Sequence, residues 1–305
     1  ASSSINATTG VAVPVAAIAG TPTTYIAPTT SDNNYGIYND AGITFAMSST
    51  MDSGMTAGVT VDMNGGDTTN NAVDQYTLSL ASDALNVSFG TTEYSAITNW
   101  VSAGAMGTDT WANQNADNKN VLRADVALGG LAISAGTSVT TGEKAAPDAV
   151  SITIGGSLGG ASYVIASEGA KMGVSVTNAI GGATLTTAYS TAPSIVTTGT
   201  GYNAVNTAHA TSMNTSTGVK ISFPAGAVTT TASYVMESNG TGQTTALKDT
   251  WDVSAAWSSG ATSVTFSTDE GSDNKIEGST TLGTGVTVAA CLADAIEDMY
   301  LAVTT

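Results

Sequence analysis

Met55-Thr56-Ala57-Gly58-Val59-Thr60-Val61-Asp62-Met63 puts methionine, alanine or valine at every odd position and threonine, glycine or aspartate at every even one. Successive side chains of a strand point to opposite faces, so a period of two makes one apolar face and one small polar face. The same reading recurs along the chain. Tyr76, Leu78 and Leu80 alternate with Thr77 and Ser79, and Leu85, Val87 and Phe89 alternate with Asn86 and Ser88. Trp251, Val253, Ala255 and Trp257 follow, then Val264 and Phe266, then Val286, Val288 and Ala290, and last Met299, Leu301 and Val303.

Turn signals separate these runs: Asp52-Ser53-Gly54, Ser82-Asp83-Ala84, Gly129-Gly130, Gly159-Gly160, Ser258-Ser259-Gly260 and Gly283-Thr284-Gly285. They are of the short hairpin kind. The expected strands are 34–48, 54–63, 73–81, 85–92, 120–128, 131–140, 148–157, 161–167, 171–178, 183–190, 214–223, 226–236, 247–257, 261–268, 273–282, 285–293 and 297–304. Longer polar connections alternate with the tight turns, at 64–72, 93–119, 191–213 and 237–246. No composition shift marks a boundary, so residues 1–305 are expected to form one domain, with 1–33 an irregular N-terminal segment or a first strand.

Composition decides where the apolar faces go. Charged residues are 10% of the chain, against roughly 25% in an average globular domain, while 42% are hydrophobic, which argues against disorder. The net charge of −17, with seven basic residues, excludes nucleic-acid binding. No apolar stretch reaches the roughly 20 residues a spanning helix needs. The N-terminus lacks a basic region followed by an apolar core, so any secretory signal is read as already removed. A soluble barrel of this many strands would need bulky side chains inside, yet the polar faces carry Thr, Ser, Gly, Asn and Asp. The apolar faces must therefore look outward, into lipid, and the sheet must close, because an open edge in hydrocarbon leaves backbone groups unpaired. The fold class is an all-β, transmembrane antiparallel β-barrel. Barrels of this kind carry an even number of strands, which gives 16, with 18 as the alternative. Trp251, Trp257, Tyr76, Tyr94, Tyr163, Tyr234 and Tyr300 lie near strand ends, where amphipathic rings favour the interface.

Several motifs then point to a family. Asn34-Tyr35-Gly36 through Ile43-Thr44-Phe45-Ala46-Met47-Ser48, followed by Met51-Asp52-Ser53-Gly54-Met55-Thr56-Ala57-Gly58, resembles the second and third strands of alphaproteobacterial general-diffusion porins, with their connecting turn. The runs Tyr76 to Gly90 and Val121 to Ser138 resemble the hairpins on either side of those porins' long third loop. The resemblance implies a homotrimeric, 16-stranded outer-membrane barrel, set among lipid and lipopolysaccharide, whose third loop folds inward. It would be a passive channel for small hydrophilic solutes and ions, not an enzyme. Carried onto this chain, the constriction loop is 94–120. Asp109, Asn113, Asn115 and Asp117 are its pore-facing candidates, Arg123 is a candidate on the adjoining strand, and Trp100 and Trp111 are packing anchors. There are two departures. Such porins set a cluster of arginines and lysines across from the loop, whereas Arg123 is the one arginine here, so a weakly cation-preferring lumen is expected. They also usually end in an aromatic residue, whereas this sequence ends in Thr304-Thr305.

Other chemistry is thin. His209, the one histidine, reads as a solvated loop residue, and Cys291 as a small buried or lipid-facing hydrophobe. Gly155-Gly156 and Gly159-Gly160 do not precede helices, so they are not phosphate loops. Asp269, Glu270 and Asp273 read as a solvated acidic turn, with a structural calcium site as the alternative; no other cofactor is expected. The competing function is a β-rich surface-layer protein forming a lattice, which the Thr/Ser/Gly-rich, acidic composition also suits. A lattice protein would leave the cell on chelation or low pH, whereas a barrel needs detergent.

Overall fold

The computed structural model describes residues 42–64, 75–113, 120–139, 150–198, 205–271, 273–282, 286–293 and 300–304. The chain divides into two compact units, residues 1–45 with 61–75, and residues 46–60 with 76–305. The described part of the first is the opening of one strand, the close of the next and Gln75. The interactions and burial described below lie in the second.

The described strands are β1 (Gly42–Thr50), β2 (Thr56–Asn64), β3 (Gln75–Ala81), β4 (Leu85–Gly90), β5 (Asn120–Leu128), β6 (Leu131–Val139), β7 (Ser151–Leu158), β8 (Ala161–Glu168), β9 (Lys171–Ile180), β10 (Ala183–Thr198), β11 (Val205–Ala225), β12 (Val228–Ser238), β13 (Thr250–Ser259), β14 (Thr262–Asp269), β15 (Lys275–Leu282), β16 (Val286–Ala293) and β17 (Tyr300–Thr304). One short helix, α1 (Ser95–Asn99), stands between β4 and β5. All strands belong to one sheet, with hydrogen-bonded order β1-β10-β11-β12-β13-β14-β15-β16-β17-β2-β3-β4-β5-β6-β7-β8-β9 and further pairings β1–β2 and β9–β10. The seventeen alternating runs each appear as a strand, and sixteen of them, β2 to β17, follow chain order, the number that the even-strand rule gives. From β3 to β17 every consecutive pair is antiparallel.

Glycine makes the tight turns. Gly129 and Gly130 have φ of 56° and 88°, and Gly159 and Gly160 have 61° and 87°. Both central residues are left-handed, the backbone that matches strand twist in a two-residue hairpin and that a side chain resists. Space is not the reason, since a Cβ at any of these four would meet nothing. The expected turn at 283–285 and the N-terminal segment 1–33 lie outside the described residues.

The alternation resolves into two unlike faces. On β11, Val219, Ile221 and Phe223 are 45–50% exposed, and on β12 Tyr234 and Met236 are about half exposed. Between them, Ser216, Ser233 and Val235 are buried. The same holds on β7, where Ile152 and Ile154 are exposed while Ser151 and Thr153 are buried. A water-soluble domain does not leave so continuous an apolar face uncovered. Neighbouring polar side chains hydrogen-bond across strands on the other face, as between Thr177 and Thr186 (3.1 Å), Ser222 and Thr231 (3.2 Å), and Ser263 and Ser279 (2.9 Å).

One stretch departs from expectation. Residues 191–213 were expected as a long connection, but β10 runs to Thr198 and β11 starts at Val205, paired as Ile195↔Ala208 through Thr198↔Val205 after a register shift at Pro193. His209 therefore lies on β11, not in a loop. The segment is rich in threonine and serine and lacks apolar alternation. Threonine's branched Cβ nevertheless suits an extended ladder, and pairing extends the hairpin beyond its apolar part.

Candidate functional site

Most of the buried residues lie where residues 94–112 meet the polar face of the sheet. Five-residue α1 could not persist alone. Tyr94 at its N-cap is extended and offers no side-chain cap. Local bonds close the turn: the Thr98 N–H and hydroxyl both donate to Tyr94 O (3.2 and 3.0 Å), and Asn99 Nδ2 donates to Ser95 O (3.0 Å). The sheet supplies the rest. The Ala96 N–H donates to Ser151 Oγ at 2.8 Å and Asn99 Nδ2 to Thr153 Oγ1 at 3.0 Å, and the Ser95 and Ser134 hydroxyls hydrogen-bond at 2.8 Å. Tyr94, expected among interfacial aromatics, is instead fully buried here; proximity to a strand end marks both positions alike in sequence. Trp251, Trp257 and Tyr234 are exposed on the apolar face.

Beyond the helix the chain crosses β8 to β13. Trp100 and Trp111 meet edge to face at 5.4 Å and 65°. They lie over Gly173 of β9, where a Cβ would come within 2.6 Å of the Trp100 ring and 3.3 Å of Trp111. Ala103 and Met106 pack with Ala188 of β10 and Val235 of β12, and a Cβ on Gly218 of β11 would lie 2.9 Å from Ala103 O. Thr108 is pinned by hydroxyls: its N–H donates to Ser216 Oγ (3.1 Å), and its Oγ1 shares hydrogen bonds with Ser190 (2.6 Å) and Ser216 (2.8 Å). Glu237 Oε1 accepts the Gly107 N–H at 2.7 Å, while Oε2 accepts Ser216 Oγ at 2.6 Å. Glu168 accepts the Ala112 N–H (2.9 Å), and Lys171, paired with Glu168 at 3.6 Å, donates to Thr110 O. Small residues at several facing positions, Ser151, Gly173, Ser190, Ser216 and Gly218, let the segment approach the sheet closely.

Asp109 is half-buried on this crossing and accepts a bond from Trp100 Nε1 at 3.1 Å. Burial pushes its carboxyl above the ordinary value, and hydrogen bonds from Ser102 and Trp100 offset only part of that rise. Asn113 is the last described residue of the crossing; Asn115 and Asp117 lie outside the described residues. Arg123, on β5, is bound to Asp125 Oδ2 through Nε at 3.1 Å. A cavity of about 630 Å³ adjoins the helix, lined among others by Asn86, Asn99, Arg123, Asp125, Ser134 and Thr153.

A second connection, 239–249, supports the first. The Gly240 N–H donates to Asn214 Oδ1 (2.8 Å) and the Thr244 N–H to Ile195 O (3.0 Å), while Leu247 stands against Gly107. Elsewhere, Asp269 Oδ1 accepts the Gly271 and Asp273 N–H groups and Glu270 accepts that of Trp251. Among the described residues no three acidic, histidine or cysteine side chains are placed to hold a metal. Cys291 is buried, opposite Glu277 in the ladder and on the other face from exposed Leu292.

The model of a Gram-negative porin family matches residues 3–290. A solved porin structure refined at 1.8 Å is 15% identical, covering 89% of this chain and 91% of its own, with a TM-score of 0.51. A triple mutant of Rhodopseudomonas blastica porin is 14% identical over 87% of this chain and 88% of its own, with a TM-score of 0.47. No curated protein matches the chain.

Proposed function

Because the chain belongs to the Gram-negative porin family, we propose that it forms a water-filled channel in the bacterial outer membrane through which small hydrophilic solutes and ions diffuse passively. One observation carries this reading above others: large apolar side chains are exposed on one face of the strands, while the opposite, hydroxyl-bearing face carries residues 94–112. Hydrocarbon tolerates no open sheet edge. A wall set in lipid therefore closes on itself, and β2 to β17 supply the sixteen strands such a barrel needs. The segment that begins at Tyr94 narrows its lumen, with Asp109 and Asn113 toward the passage. The assembly is a homotrimer embedded in outer-membrane lipid and lipopolysaccharide, as the resemblance implies. With 24 acidic against seven basic residues, the lumen prefers cations weakly.

Detergent-purified protein added to a planar bilayer should give stepwise conductance increments with a small cation-selective reversal potential in a salt gradient. A membrane that stays sealed with folded, heat-modifiable protein present contradicts the reading.

Asp109 gives that selectivity a pH dependence. Its raised pKa means that, as pH falls, it takes up a proton and loses its charge before an exposed carboxylate does, through a window set by its burial. The folded chain binds that proton more readily than the unfolded one, so in the same window the crossing is held more firmly as pH falls. Cation preference should decline between pH 7 and that window, and Asp109→Asn should start lower and decline less. Equal slopes in the two proteins would remove Asp109 from the passage.

A further inference from the structure

We propose that Arg123 and Asp125 form a bracket that fixes the helix α1 against the sheet, so that the chain's one arginine sets the width and steadiness of the passage rather than its charge preference. This rests on the channel reading above.

The Arg123 side chain is only 15% exposed, and its guanidinium has three partners. Nε binds Asp125 Oδ2 at 3.1 Å, and Nη1 donates to Glu93 O at 3.1 Å and to Thr98 Oγ1 at 2.9 Å. Glu93 precedes the helix and Thr98 lies within it, and the Thr98 hydroxyl donates a hydrogen bond to Tyr94 O. One planar fork therefore grips both ends of the turn that lacks a side-chain cap. Asp125 is the other half. Its Oδ2 also accepts from Asn86 of β4 at 3.3 Å, and its Oδ1 accepts from Ser134 of β6 at 2.6 Å. Ser134 in turn touches Ser95 at the helix start. Gly136, the ladder partner of Arg123, completes the fit: a Cβ there would lie 3.3 Å from Ser95 Oγ and 3.6 Å from Arg123 Cγ. The carboxylate offsets the arginine's charge at contact distance, so little of it acts on a passing ion, whereas its geometry is shared among β4, β5, β6 and α1.

Charge and geometry separate in single-channel recordings of Arg123→Lys, Arg123→Gln and Thr98→Val. Lysine keeps the charge but cannot reproduce the fork. The bracket predicts that both Arg123 variants raise open-channel noise severalfold and admit larger non-electrolytes, with a parent-like reversal potential in Arg123→Lys, which keeps the charge that offsets Asp125. Thr98→Val, which leaves the ion pair whole, should show the same noise to a lesser degree. A quiet, parent-like Arg123→Lys beside an Arg123→Gln with shifted reversal potential would overturn the proposal in favour of a field effect. Three variants with parent-like noise and size cut-off would overturn it as well. If the Arg123 variants fail to assemble, Thr98→Val decides by the same noise criterion. A parent protein that does not conduct at all sinks the channel reading instead, a distinct outcome.

Discussion

Excising residues 96–112 and joining Ser95 to Asn113 through a short glycine-serine link should roughly double the single-channel conductance or more, and raise the size limit for uncharged solutes. The expectation follows from how the segment is held. Ser151, Thr153, Ser190, Ser216 and Glu237 all bond to it from the sheet. Each is a hydroxyl or carboxylate that water can satisfy once the segment is gone, so the wall keeps no unpaired buried group and should persist. The lost apolar contacts are local: Ala103, Met106, Ala188 and Val235 in one cluster, Ala96, Trp111 and Ala166 in the other. Unaltered conductance in a well-assembled deletion protein would mean that this crossing does not narrow the passage.

Val253→Arg should destabilise the protein in the bilayer, by up to the roughly 2–4 kcal/mol that arginine costs on a barrel's lipid face. Val253 is 38% exposed on the face that also carries Trp251 and Trp257, each 40% exposed. Ser254→Arg, one residue along and on the opposite face, should cost far less, because its guanidinium reaches water. Equilibrium unfolding from phospholipid bilayers measures both. Equal costs would contradict the assignment of faces.

Much of this was legible in sequence because two signals are strictly local. Alternation placed β5 at 120–128 with both ends right, and Gly129-Gly130 marked the next turn because left-handed backbone at two successive residues nearly requires glycine. Trp100, Trp111 and Asp109 are singled out within a long polar connection by the family resemblance, which places the third loop there. Their receptors are not. Gly136, Gly173, Gly218, Ser190 and Ser216 lie at polar-face positions where small residues are expected along the whole wall, and only the crossing segment distinguishes these few. Glu237 was invisible for the same reason, since its partner Gly107 is far away in the chain. The extension of β10 and β11 through 191–213 failed the alternation test because its stability comes from the facing strand, a non-local term. Arg123 was noticed for its rarity, but its three partners belong to the folded chain alone.

The most direct test of the central claim is a nitroxide scan along Val219, Lys220, Ile221 and Ser222, made in a Cys291→Ser background in lipid bilayers. The account predicts that labels at 219 and 221 collide with lipid-dissolved oxygen, whereas labels at 220 and 222 collide with a water-soluble nickel chelate. Chelate access at 219 and 221, or no alternation between the two reagents, would contradict it.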